Sequence, residues 1–197
     1  MSITLQTLKE LLIVPHEIIV KKAKAKDRNE ALVILIINWI LIAIGVSLIS
    51  SNYSFGLAML VFGIIGTLIS AFFIYLAFAV IGEKGDYVSA LIALTYPFFG
   101  VSFSTLVISL IYLWSNIASF FIGAILFLLY FTVAIIGMFR VLKESFKTDL
   151  ITVWIVITLV SIAILLTIYG LLIIYSTQYL TSAYSSKLAP YLISRLV

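Results

Sequence analysis

Charged positions fall in clusters along this chain, and the apolar stretches between them set its architecture. No Asp, Glu, Lys or Arg occurs between Glu30 and Glu83, between Asp86 and Arg140, or between Asp149 and Lys187. A helix that crosses a bilayer needs roughly 20 apolar residues. The first two gaps are about fifty residues each, so each holds two spans and a tight turn; the third holds one span and a polar approach to the C-terminus. Ser50-Ser51-Asn52-Tyr53-Ser54 breaks the first gap and Trp114-Ser115-Asn116 the second. Ser and Asn beside an aromatic ring suit a turn at headgroup level. The predicted spans are residues 31–50, 56–81, 88–112, 118–139 and 150–175. Lipid offers backbone groups no hydrogen bonds, so each span must be helical. The expected fold is all-α: an integral membrane helical bundle of five transmembrane helices.

Composition agrees. Of the 197 residues, 64% are hydrophobic and 10% charged, against about 25% charged in a soluble domain. Lys and Arg then set the orientation. Lys9, Lys21, Lys22, Lys24, Lys26 and Arg28 precede the first span, Lys84 follows the second, and Arg140, Lys143 and Lys147 follow the fourth. These positions share one side, while the two Ser/Asn turns carry no basic residue and the tail carries only Lys187 and Arg195. The positive-inside rule places the N-terminus in the cytoplasm and the C-terminus outside or in a lumen. The first long apolar run begins far from the N-terminus and is long enough to span, so it reads as a retained signal-anchor rather than a cleaved leader.

Three regions result: a cytoplasmic segment over 1–30, the bundle over 31–175 and a Tyr/Ser-rich outer tail over 176–197. In the first, Ile3, Leu5, Leu8, Leu11 and Leu12 oppose Gln6, Lys9 and Glu10. That stripe predicts an amphipathic helix lying in the interface. Pro15 suits the start of a second helical stretch. The run Lys21, Lys22, Lys24, Lys26 and Arg28 has two readings: a topology signal, or a binder of anionic lipid headgroups. Asp27 and Glu30 have capping-box spacing, which starts a helix near Arg28.

Reactive groups are sparse. There is no cysteine, and the one histidine, His16, lies beside Pro15; this set cannot assemble a haem or zinc site of the usual ligand count. No ionisable side chain falls inside a proposed span, as proton-coupled transport usually needs. Asn38 is the most polar residue within the first span and is expected to hydrogen-bond to a neighbouring helix. Glu83, Lys84 and Asp86, with Arg140, Lys143, Glu144, Lys147 and Asp149, should meet at the cytoplasmic face, where salt bridging and topology explain them better than a metal or catalytic site. Gly63, Gly66 and Ser70 form a small-residue face suited to close helix packing. Pro97 lacks an amide hydrogen and is expected to kink the third span.

Three stretches resemble the Yip family, the Rab/Ypt-interacting type of polytopic membrane protein. The first is Leu11-Leu12-Ile13-Val14-Pro15 before the basic run and first span. The second is Gly82-Glu83-Lys84-Gly85-Asp86-Tyr87, leading into Leu94-Thr95-Tyr96-Pro97. The third is Gly137-Met138-Phe139-Arg140, similar to a Gly-x-x-Arg exit from the fourth span. The chain is similar to the short microbial members and lacks the long N-terminal domain of the eukaryotic trafficking members. The resemblance implies five spans and a structural-motif role for Pro15, Gly82, Gly85, Tyr96, Pro97, Gly137 and Arg140. It does not imply small-GTPase binding.

The expected function is non-enzymatic and needs no cofactor: an interaction or membrane-organising protein, or a subunit of a membrane complex. Its expected partners are membrane lipids and other membrane proteins or further copies of the chain, not nucleic acid. The alternative is a small transporter or channel for a neutral or lipidic solute, with Thr95, Ser102, Ser104, Thr105 and Ser109 along its path. Changing Lys21, Lys22, Lys24, Lys26 and Arg28 together to Gln should give mixed orientations in reporter fusions at each loop, because the basic bias is then much reduced. A uniform orientation at full expression would refute this.

Overall fold

The computed structural model describes residues 27–167, with Leu12, Ala25, Tyr169, Gly170 and Ile173 besides. The expectations for Pro15, for His16, for Lys21, Lys22, Lys24 and Lys26, for the amphipathic N-terminal helix and for the 176–197 tail lie outside the described residues. Among the described residues every regular element is an α-helix: α1 (Arg28–Ser50), α2 (Tyr53–Ile81), α3 (Tyr87–Thr95), α4 (Phe99–Tyr112), α5 (Asn116–Phe146) and α6 (Leu150–Thr167). With α3 and α4 taken as one broken span, five helices are long and apolar enough to cross a membrane. The chain forms two compact units, Met1–Ile157 and Thr158–Val197. The first holds α1 to α5 and the opening of α6, whose Val153 and Val156 are buried. In the second, the described residues continue α6 to Thr167.

Each span begins with a short polar side chain that caps it. Asp27 Oδ1 accepts from Glu30 N at 3.1 Å, Asn52 Oδ1 from Phe55 N at 3.2 Å and Asp86 Oδ1 from Ser89 N at 2.7 Å. Ser115 Oγ accepts from Ala118 N at 3.3 Å and Asp149 Oδ1 from Thr152 N at 2.6 Å. A capped end satisfies amides that would otherwise lack a partner at the start of a helix. Hydrogen bonds from Thr152 also hold the Asp149 carboxyl below its ordinary range. Its cap is therefore present above the ordinary aspartate range and lost as pH falls through the lowered value.

These caps correct the predicted boundaries. Asn52 starts α2 at Tyr53, not at 56. The fourth span runs past residue 139 to Phe146, because Val141, Leu142 and Phe146 recur at helical spacing and are buried. Arg140, Lys143 and Glu144 thus belong to the helix and not to a loop.

In the first unit, α1 packs on α2, α3 and α4, while α5 packs on α3 and α4. The third span is the centre: 56% of its apolar window is buried, against 17–22% for the other spans. Small groups let its neighbours approach. Gly45 of α1 lies against Thr105 and Ser109 of α4, and Gly100 lies under the Tyr130 ring. The predicted small-residue face of α2 divides. Gly63 receives the Trp39 indole, whose Nε1 donates to Thr67 Oγ1 at 3.0 Å, whereas the space beside Gly66 is open.

The turn after α2 depends on two glycines in different ways. Gly82 adopts φ +90, and its N–H and that of Glu83 close the helix on Ala79 O and Phe78 O. Gly85 instead lies against the Phe146 ring, which stacks on Phe78 at 4.3 Å between centroids. Any β-carbon at Gly85 would overlap that ring. We expect Gly82→Ala to cost about 1–2 kcal/mol from left-handed backbone strain, whatever occupies position 146. Gly85→Ala should cost about 1–3 kcal/mol by overpacking, and clearly less in a Phe146→Ala background. Equal penalties for Gly85→Ala in both backgrounds, measured by denaturation in mixed micelles, would contradict the steric account.

Candidate functional site

The third span breaks where its sequence carries proline. Pro97 has no N–H for the carbonyl of Ala93, so the α-helical ladder cannot continue. α3 ends at Thr95, Tyr96 N still donates to Ile92 O at 3.1 Å, and Phe99 N turns back to Tyr96 O at 3.2 Å before α4 resumes. The expected disturbance is therefore a local break in the hydrogen-bond ladder, with Tyr96 and Phe98 still in right-handed helical backbone. Thr95 Oγ1, a candidate partner for the freed carbonyl, donates instead to Leu91 O at 2.9 Å.

The break is held from α1. Asn38 Nδ2 donates to Thr95 O at 2.8 Å, a buried bond between residues 57 positions apart in sequence. This is the interhelical role expected of Asn38. A carbonyl left over at a helix end inside an apolar bundle needs such a partner. On α1, Glu30, Ile34 and Asn38 recur every four residues and share one buried face. On α3, Ser89 and the cap residue Tyr96 are separated by two turns and are both buried.

Glu30 lies just before the predicted first span, in the first turn of α1, and packing turns it inward, where it is buried. It stands close enough to the Tyr96 hydroxyl to interact with it, with Asp27 also nearby. No hydrogen bond of full geometry reaches Tyr96 Oη. The signal was present in the four-residue spacing of Glu30, Ile34 and Asn38, but treating Glu30 only as a cap partner hid it. Ser89 carried no comparable signal.

The remaining motif residues divide between this interface and the charged end of the unit. Pro97 and Tyr96 are buried at the break, and Gly137 is buried in α5. Arg140 and Arg28 are exposed. Gly82 and Gly85 form the turn below Phe146. The Phe78–Phe146 stack brings the segment carrying Glu83, Lys84 and Asp86 beside the end of α5, as the hairpin arrangement predicted. Among the described residues no three His, Cys, Asp or Glu side chains are grouped to hold a metal.

The hydroxyls of α4 donate within their own helix. Ser102, Ser104, Thr105 and Ser109 donate to the carbonyls of Phe98, Gly100, Val101 and Thr105, four residues earlier, at 2.7–3.1 Å. Ser119 Oγ crosses from α5 to Ile108 O at 3.0 Å. The proton of each of these groups is given to a backbone acceptor.

Asn38→Leu should lower stability by about 0.6–1.7 kcal/mol, the range measured for hydrogen bonds between membrane helices. Thermal denaturation in lipid nanodiscs checks it; an unchanged or higher midpoint would mean that Thr95 O finds another donor. Compared with known proteins, the chain matches no family model, no curated protein and no solved structure.

Proposed function

We propose that the protein is a non-enzymatic membrane organiser of the Yip type, working through its charged end and its lipid-facing helices. In this reading the N-terminus is cytoplasmic, the C-terminus lies outside or in a lumen, and the basic residues before α1 meet anionic headgroups. Its partners are lipids and other membrane proteins or further copies of the chain. One observation carries the reading. The turn with Glu83, Lys84 and Asp86 and the α5 end with Arg140, Lys143 and Glu144 come from different hairpins, yet the Phe78–Phe146 stack under Gly85 fastens them together. A fixed charged face of this kind is suited to docking, since pre-formed complementary charge gives selectivity between partners. The Yip resemblance of the same segments supports it.

A small transporter or channel is the second reading, favoured by the interrupted third span. Discontinuous helices build solute sites near the bilayer midplane in many transporters. Against it, the α4 hydroxyls that would serve a solute are bonded to their own helix.

Purification from mild detergent should retain a stoichiometric membrane partner or a defined homo-oligomer, and the double variant Arg140→Glu, Lys143→Glu should release it while the helices stay folded. A monomer without partners that carries a neutral solute across liposome membranes would overturn the organiser reading in favour of transport.

A further inference from the structure

Among the described residues, three buried side-chain atoms have no hydrogen-bond partner: Asn38 Oδ1, Ser89 Oγ and Tyr96 Oη. All three lie on α1 and α3 or at the break that ends α3. Their residues are 4%, 0% and 1% exposed. Elsewhere the buried hydroxyls follow another rule: those of α4 bond back to their own helix, and Ser119 bonds to Ile108. Unpartnered groups are therefore gathered at one interface rather than scattered through the bundle.

Position along the helices orders them. Ser89 is in the first turn of α3, directly after the Asp86 cap, and Glu30 is in the first turn of α1. Tyr96 sits at the far end of α3, and a long helical side chain leans toward the N-terminus of its helix. Its interaction with Glu30 agrees with that direction. Asn38 stands at the break itself, held to Thr95 O. The polar groups thus run from the charged end of the unit inward to the interruption of the third span.

We propose that this α1–α3 interface is a water-binding site, with ordered water held by Asn38 Oδ1, Ser89 Oγ and Tyr96 Oη and entering from the charged end. The chemistry selects water. Asn38 Oδ1 is an acceptor and needs a donor; the Ser89 hydroxyl brings a proton that needs an acceptor, and the Tyr96 oxygen, beside the Glu30 carboxylate, can accept. Water supplies both a donor and an acceptor, and a buried water is held by two to four polar contacts. A metal ion would leave the hydroxyl protons without acceptors. The inference goes beyond the organiser reading and holds equally for a transporter, since it concerns hydration of the interface and not what crosses it.

The chain contains no cysteine, so a single introduced thiol can be followed without background. In nanodiscs, Ser89→Cys should react with a small charged methanethiosulfonate at least about tenfold faster than Ala90→Cys or Ala93→Cys. A thiol in a dry apolar site has a raised pKa, and each unit of increase removes about nine-tenths of the reactive thiolate. Ala90 and Ala93 are as buried as Ser89, so burial alone predicts equal rates, and equal rates would overturn the proposal. Hydroxyl-radical footprinting of the unaltered protein gives a second measurement that needs no variant to fold. Radicals form from water, so Tyr96 should be oxidised while the equally buried Phe78 and Phe146 are spared. Protection of all three rings would overturn the proposal.

Discussion

A backbone carbonyl that loses its helical partner inside an apolar bundle must find another, and at the break beside Pro97 that carbonyl is Thr95 O, whose helical donor, Phe99 N, turns back to Tyr96 O. In lipid each unsatisfied backbone group costs several kcal/mol. The broken span therefore cannot stand at the periphery. It occupies the centre, more than half buried, where α1 can bring Asn38 to the Thr95 carbonyl. Asn38 in turn can reach only if α1 and α3 lie close, and those helices start at the same end of the unit with Asp27 and Asp86 as their caps. The contacts of α2 and α5 around this pair then fill the remaining faces of the third span.

The same economy of hydrogen bonds shapes the helix ends. All five spans open with an Asp, Asn or Ser whose side chain takes an amide three residues on. These caps let short turns join long helices: three segments, at Ser51, Gly82 and Lys147, leave a helix through left-handed backbone. Gly82 is the residue suited to that conformation, while Ser51 and Lys147 adopt it at some cost. Gly85 answers a different constraint, the passage of an aromatic ring, so the two glycines of one short turn are not interchangeable.

Much of this was legible in the sequence, for reasons that differ by feature. Gaps between charges delimited the spans because charge is excluded from lipid, and the turn at Ser50–Ser54 and that at Trp114–Asn116 stood out by composition. Asn38 announced its interhelical bond because an amide inside an apolar span readily hydrogen-bonds to a neighbouring helix. The end of α5 was missed because Arg140, Lys143 and Glu144 look like loop residues; helical continuation there is driven by Val141, Leu142 and Phe146 on the opposite face. The burial of Glu30 was missed because a capping position and a buried position are compatible on the first turn of a helix. The pairing of Phe146 with Gly85 could not be read at all, since it depends on contacts between residues far apart in the chain.

The distribution of hydroxyl groups separates two ways of carrying polarity in a membrane. On α4, Ser102, Ser104, Thr105 and Ser109 lie four residues from their acceptors, so each proton is satisfied within the helix. On α3, Ser89 is in the first turn, and the carbonyl four residues earlier belongs to Gly85, before the helix starts, in the turn beneath Phe146. Tyr96 cannot bond back to its own helix, because a phenolic oxygen is too far from its own backbone. Polarity on α4 is thus private to the helix, whereas polarity at the α1–α3 interface is left for something between the helices to use. That difference, set by spacing and side-chain length, leaves the unpartnered buried side-chain atoms of the described residues on α1, on α3 and at the break before Pro97, and none on the serine-rich α4.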